Sequence, residues 1–315
     1  MSARARTLAC GLVVGLGVAL CAGPAPAQTS QQLDWCSGSF AATGRQRINA
    51  CTALIDSGRY TGKELARILV DRGDAYRDVL DFEHALADYD KAIALDPKLA
   101  SAHVGRGEVF TYYVARNDQD QAIVEFNTAM AIDPNDAKAY LGRARAYQRK
   151  CGACPDAIRD AGEAVRLAAS DQDTLVSALD LHSDLLTIRG DYDGAIRDYD
   201  EMLRIDPRNS GALAARGDAF RRKHALDRAL ADLNAAIGID AKDPIYFHDR
   251  GRVYQEMGDL DRAIADYGKA ISLKPDQPLL AQILRDRASA YRAKGNADQA
   301  VADEAAATRL NGEGR

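Results

Sequence analysis

Four cysteines beyond the first 27 residues are the side chains most capable of chemistry: Cys36, Cys51, Cys151 and Cys154. Cys151-Gly152-Ala153-Cys154 has the spacing of a dithiol redox motif, and Pro155-Asp156 opens a helix directly after it. A thiol at a helix N-terminus ionises more easily, which thiol–disulfide exchange requires. Dithiol oxidoreductases carry the motif after a strand in a βαβ setting. Here it falls in a helix–helix turn, so a structural bridge is the simpler reading and a thiol-redox accessory role the alternative. Two thiolates alone are an incomplete zinc shell. The five histidines, His84, His103, His182, His224 and His248, form no His-Glu-x-x-His or other metal-ligand spacing. There is no Gly-x-Ser-x-Gly elbow and no Walker loop. Asp81, Asp191, Asp259 and Asp261 sit at inter-helix turns, where aspartate caps helices and offsets the macrodipole. No constrained carboxylate pair marks acid–base work. The expectation is a chain with no catalytic residue, no metal and no cofactor.

The compartment decides how those cysteines are read. Arg4 and Arg6 precede an apolar, uncharged run from Leu8 to Ala22, and Ala25-Pro26-Ala27 offers small residues for a signal peptidase. The run is short for a spanning helix. Residues 1–27 therefore read as a signal peptide, with Gln28 opening the mature chain and no stable membrane insertion after cleavage. The expected location is the periplasm, with secretion as the alternative. In that oxidising setting an even set of four cysteines argues for two bridges. Three pairings can be drawn. The wide separation of the two pairs in sequence favours Cys36–Cys51 and Cys151–Cys154. The net charge of −5, or −7 without Arg4 and Arg6, lacks the basic footprint of a nucleic-acid binder. With 47% apolar and 28% charged residues, the composition is that of an ordered chain.

The elements that must carry these residues follow a repeat. Arg72-Gly73, Arg106-Gly107, Arg216-Gly217 and Arg250-Gly251 recur, with Arg143-Ala144 and Arg287-Ala288 as variants, at steps of 34, 37, 73, 34 and 37 residues. An aromatic follows each arginine: Tyr76, Phe110, Tyr147, Phe220, Tyr254 and Tyr291. An alanine series comes next, Ala85, Ala122, Ala157, Ala195, Ala229, Ala263 and Ala300, then Tyr89, Phe126, Tyr199, Leu233 and Tyr267. Asp-Pro at 96–97, 133–134 and 206–207 ends each unit, because the residue before proline disfavours the α region. Two amphipathic stretches per unit, separated by turn signals such as Gly190-Asp191 and Gly258-Asp259, predict helix pairs.

This pattern resembles the tetratricopeptide repeat family. The resemblance covers residues 66–314 in seven units: 66–99, 100–136, 137–171, 176–209, 210–243, 244–277 and 281–314. It implies an all-α solenoid, a right-handed superhelix of helix–turn–helix repeats, and a noncatalytic scaffold that binds a peptide or protein segment on its concave face. The stretch from Trp35 and Cys36 to Cys51 is similar to the leader of exported bacterial members. Residues 28–65 are expected to form an N-terminal cap, with a helix over Arg45–Ser57 and Trp35 buried against it. Glu304, in the place of the packing aromatic, marks the last unit as an end cap.

Two finer expectations follow from placing residues on the repeat. The joint between the third and fourth units should be weak: Ala161 replaces an aromatic, Ala169 replaces proline, and 172–175 add length. The groove should be lined by the first helix of each unit. That places Arg145, Arg221, His248, Arg252, Arg285 and Arg292 in the groove, and units five to seven, which carry all of these but Arg145, are expected to bind an acidic or carboxylate-ended peptide unless neighbouring acids such as Asp218 and Asp249 simply pair with them.

Overall fold

The computed structural model describes residues 26–38, 42–113 and 118–312. The n-region and apolar run of the expected signal lie outside the described residues. The described residues form sixteen helices and no strand. The first two are α1 (Pro26–Ser37) and α2 (Gly44–Asp56). Seven helix pairs follow, each a first helix A and a second helix B. Units one to three are α3 (Gly62–Asp78) with α4 (Phe82–Leu95), α5 (Ala100–Tyr112) with α6 (Gln119–Ile132), and α7 (Ala137–Cys151) with α8 (Pro155–Leu167). Units four and five are α9 (Gln172–Arg189) with α10 (Tyr192–Ile205), and α11 (Ser210–Arg222) with α12 (Leu226–Ile239). Units six and seven are α13 (Pro244–Glu256) with α14 (Leu260–Ser272), and α15 (Gln277–Ala293) with α16 (Ala297–Gly312). Each helix packs on the next in chain order, which is the architecture of a helical solenoid.

Local chemistry explains where the helices start and stop. Asp81, Asp118, Asp191 and Asp259 each N-cap a B helix, accepting from the backbone N–H of His84, Gln121, Gly194 and Arg262. Asp96, Asp133 and Asp206 adopt extended backbone before proline and end the B helices. The A helices of units one, four and seven begin at Gly62, Gln172 and Gln277, one turn ahead of the unit starts read from the repeat.

Between units the packing rests on an aromatic against bare backbone. The Tyr89 ring is buried, and a Cβ placed on Gly73 or Gly105 would meet it at 2.7 and 2.5 Å. Phe126 lies the same way between Gly107 and Gly142, at 2.9 and 2.3 Å. The glycines thus admit a ring between the A helices of successive units.

The arginine of each Arg-Gly pair forks onto an acid of its own B helix. Arg72 donates to Asp88 at 2.6 and 2.8 Å. Arg143–Asp160, Arg216–Asp232, Arg250–Asp266 and Arg287–Asp303 repeat this fork at 2.6 to 2.9 Å. Unit two uses Glu125 with Arg106, and unit four pairs His182 with Asp198 at 2.8 Å. Burial disfavours the Glu125 anion, but hydrogen bonds from His103 and Arg106 outweigh it and hold the carboxyl at about 2. A further N–H of several arginines reaches the preceding unit: Arg106 to Asp90, Arg143 to Asn127, Arg216 to Asp200 and Arg250 to Asn234, at 2.5 to 2.7 Å. Each such guanidinium ties two B helices to the A helix that carries it.

Three expectations are corrected. The N-terminal cap is a helix pair, not a single helix, because α1 lays Cys36 against Cys51, Ala50 and Leu54, with Ile68 of α3 completing the cluster. Trp35 is half-buried rather than buried, packed at the edge of that cluster. The joint between units three and four is filled. Residues 172–175 are the first turn of α9, capped by Asp171, and Thr174 is buried. Ala161 shares a core with Leu181 and Leu185, and Leu175 packs with Ile158 and Val165 against the core of the next units. Leucines from α9 supply the apolar area that an aromatic at 161 would have supplied.

Candidate functional site

The A helices α3, α5, α7 and α9 line a groove with a cavity of about 410 Å³. Its walls carry hydrogen-bonding and charged side chains, among them Asp74, Arg77, Glu108, Lys138, Arg145 and Ser177. These project there because they flank the Gly-aromatic packing positions, which turn inward between units. The Tyr89 hydroxyl donates to Asp74 at 2.7 Å, so the ring that fills the unit joint also fixes a groove carboxylate. Arg77 pairs with Asp74 at 3.2 Å and makes a short contact with Glu108 of the next unit. Burial raises the Asp74 and Glu108 carboxyls above their ordinary values, with Arg77 opposing the shift. Beside them, burial and the neighbouring Asp74 push Asp71 to about 6. Arg145 stands near Glu108 and makes no ion pair among the described residues. It is the cation on this wall with its guanidinium uncommitted to an acid.

The arginines expected in the second half of the groove are placed differently. Arg221 is buried, bonded to Asp218 at 2.7 and 2.9 Å and to Glu256 of the next unit. Arg252 stands 3.7 Å from both Asp218 and Asp249. His248 is buried and its Nε2 lies 2.7 Å from Asp286 Oδ2. Arg292 pairs with Glu304 of α16, and the exposed Arg285 touches Gln282 at 3.4 Å. A smaller cavity of about 250 Å³ remains there, lined by Arg252, Gln255, Glu256, Tyr267 and Asp286. Neighbouring acids thus pair with Arg221 and Arg292, the alternative weighed against ligand binding, while Arg145 on the first-half wall and the exposed Arg285 make no ion pair among the described residues.

Asp249 is the costly member of the second network. Burial, with the Asp218 charge adding, pushes its carboxyl to about 6. A raised folded value means the native chain holds that proton more tightly than the unfolded one. This contribution is complete below about pH 4 and is lost as pH rises through about 6. At neutral pH the ionised group therefore costs stability. Asp249→Asn is expected to raise Tm by a few degrees at pH 7 and by little at pH 4, followed by circular dichroism. Equal shifts at the two pH values would contradict this assignment.

The acids that anchor the arginine pairs, and Asp198 beside His182 in unit four, were not singled out from the sequence, although a signal for them exists. An acid stands three residues after every repeat alanine: Asp88, Glu125, Asp160, Asp198, Asp232, Asp266 and Asp303. Its recurrence on the apolar face of helix B marks a buried partner.

The cysteine pairs lie away from the groove lining. Cys36 and Cys51 are buried, with Cα atoms 4.8 Å apart. Cys151 is exposed and Cys154 half-exposed, with Cα atoms 5.8 Å apart across the α7–α8 turn. Both separations suit a bridge. Among the described residues no group of three His, Cys, Asp or Glu side chains could hold a metal ion, and no helix is long and apolar enough to cross a membrane.

Comparison with known families places these features. A model described as TPR repeat matches residues 73–111 and 112–150. Two described as tetratricopeptide repeat match 189–244 and 246–277. A comparison with curated proteins found no match. Among solved structures, the pilF protein of Pseudomonas aeruginosa is 17% identical, over 70% of this chain and 100% of that one, with a TM-score of 0.56. YrrB, described as a TPR protein with an unusual peptide-binding site, is 20% identical over 61% of this chain and 94% of its own, with a TM-score of 0.52. A tetratricopeptide repeat protein of Parabacteroides merdae is 18% identical over 83% and 97%, with a TM-score of 0.51.

Proposed function

The chain belongs to the tetratricopeptide repeat family, and from that premise we propose that it is a noncatalytic scaffold binding a peptide or protein segment along the concave face of units one to four. The observation that carries this reading is the groove on α3, α5, α7 and α9, where Arg145 lines the cavity near Glu108 yet makes no ion pair among the described residues. An extended segment needs hydrogen-bond partners for its carbonyls and a charge partner to set register. The serine, aspartate and arginine side chains of the wall offer both. YrrB, of similar fold, is described as having a peptide-binding site, which is consistent with a peptide ligand here. This reading favours the first four units over units five to seven, where Arg221 and Arg292 are already paired with acids.

The proposed setting is the bacterial periplasm, with secretion as the alternative, on the strength of Arg4, Arg6, the apolar run and Ala25-Pro26-Ala27. In that setting Cys36–Cys51 and Cys151–Cys154 are both bridged, the first tying the small cap to a core of few residues. The intact mass of the exported protein reports cleavage after Ala27 and two bridges together.

Affinity capture from the native envelope, followed by peptide mapping, supplies the ligand. Arg145→Ala is then expected to weaken a synthetic peptide of the mapped segment about tenfold or more, the loss of one charge-assisted hydrogen bond. Helicity should be unchanged, and the salt dependence of binding reduced. Full affinity in a folded Arg145→Ala protein would remove this groove assignment.

A further inference from the structure

The two cysteine pairs have opposite surroundings. Cys36 and Cys51 are 1% and 0% exposed, inside the cap core. Cys151 closes α7 at the surface, after Arg149 and Lys150, and Gly152 next to it has open space around its backbone. Cys154 is the N-cap of α8, a helix of 13 residues, with extended backbone at φ −75° and ψ 160°. In units one, two, four and six the same N-cap is an aspartate whose carboxylate accepts from the helix amides. Four units thus hold an anion at this position, unit five has Ala225 there with no side-chain cap, and unit three puts a cysteine there. In the bridged form the Cys154 side chain makes no capping hydrogen bond. A thiolate at Cys154 would offer the α8 amides an anionic acceptor that the bridged sulfur does not supply.

We propose that Cys151–Cys154 is a reversible thiol–disulfide exchange site, with Cys151 the attacked sulfur and Cys154 the leaving group, while Cys36–Cys51 is inert. The co-reactant is a thiol, either of low molecular weight or on a partner protein. Its thiolate attacks Cys151 Sγ, where approach is open. A new S–S bond forms to Cys151 as the Cys151–Cys154 bond breaks, and the electron pair leaves on Cys154 Sγ. The Cys154 thiolate then takes the capping role that aspartate has in the other units, which favours its departure. No proton need move in this step. Cys154 can return to Cys151 Sγ and expel the incoming thiol. Alternatively, a second thiolate attacks the sulfur of the first incoming thiol, releasing an external disulfide and leaving the protein pair reduced. The site rests on the Cys151–Cys154 pairing proposed above and is independent of the groove.

The test uses the exported full-length protein. A thiol count in denaturant on the untreated protein first checks the pairing, and four free thiols would overturn the pairing itself. The protein is then equilibrated with reduced and oxidised glutathione over a range of ratios at pH 7, trapped by alkylation and peptide-mapped. Cys151 and Cys154 should open at ratios that leave Cys36–Cys51 intact. In Cys154→Ser, oxidised glutathione should form a mixed disulfide on Cys151. In Cys151→Ser, Cys154 should alkylate at pH 7 roughly tenfold faster than a thiol of ordinary acidity, with a midpoint below about 8.5. Opening of both bridges at the same ratio, or a Cys154 midpoint at or above the ordinary thiol value, would overturn the proposal while leaving the pairing in place.

Discussion

Arg72→Ala is expected to destabilise the N-terminal end of the array by about 3–5 kcal/mol, the cost of removing one partner from a buried ion pair. Asp88 has a side chain only 3% exposed, and both its oxygens are held by Arg72 at 2.6 and 2.8 Å. Alanine would leave that carboxylate buried with its charge uncompensated. It would also remove the bond from Arg72 to Thr52 at 3.1 Å, which links the cap to unit one. Stability in a repeat array is a sum over neighbours, so the loss should be local. Hydrogen exchange should accelerate first in α2, α3 and α4, and urea unfolding should begin there. Lysine at 72 keeps the charge but loses the fork, and should recover only part of the difference. Removing both charges together, Arg72→Met with Asp88→Leu, should cost far less than Arg72→Ala alone. The control is Arg166→Ala, whose pair with Glu163 is exposed at 63% and 36% and should be worth little. An Arg72→Ala protein no less stable than this control would refute a structural role for the arginine–acid fork.

Phe126→Ala is expected to cost a similar amount, about 3–5 kcal/mol, by opening a cavity between the second and third units. The ring is 0% exposed and wedged between Gly107 and Gly142. The converse change tests the same contact. Alanine is the better helix former by roughly 0.5–1 kcal/mol, yet Gly142→Ala should destabilise. Its Cβ would stand 2.3 Å from the Phe126 ring, and the ring lies close against Gly107 on its other side, where an added Cβ would also meet it, at 2.9 Å. Overpacking of that kind costs about 1–3 kcal/mol, so the clash outweighs the propensity gain. In the background of Phe126→Leu the alanine should be tolerated better, and the double mutant should cost less than the sum of the singles. Thermal unfolding of the four proteins gives the cycle. Strict additivity would show that residues 126 and 142 do not share this space.

Much of the scaffold is legible without coordinates because it is local. The Arg-Gly step, the following aromatic, the alanine series and Asp-Pro each act within one helix or one turn, and together they specify helix pairs in register. The arginine–acid fork lies 16 residues apart in most units and could have been read as well, since its spacing repeats. The extra turn at the start of α9 could not be. Residues 172–175 look like a spacer until Asp171 caps them and Leu175 packs, as Ile158 and Val165 do, against the core of the next units.

The groove divides along the same line. Periodicity by itself determines that Arg145, Arg221 and Arg252 ride on A helices near the inward face, because the packing aromatics orient each helix. Whether each guanidinium is available to a ligand was decided only by the tertiary structure. Arg221 is neutralised partly by Glu256, 35 residues on, and His248 is held by Asp286, 38 residues on, while Arg145 meets no such acid. Those partners come from the next repeat, and the repeat period is set by glycine, alanine and aromatic positions that must pack. Charged positions on the groove wall are under no such constraint, so their pairing varies from unit to unit and appears only when the helices are stacked.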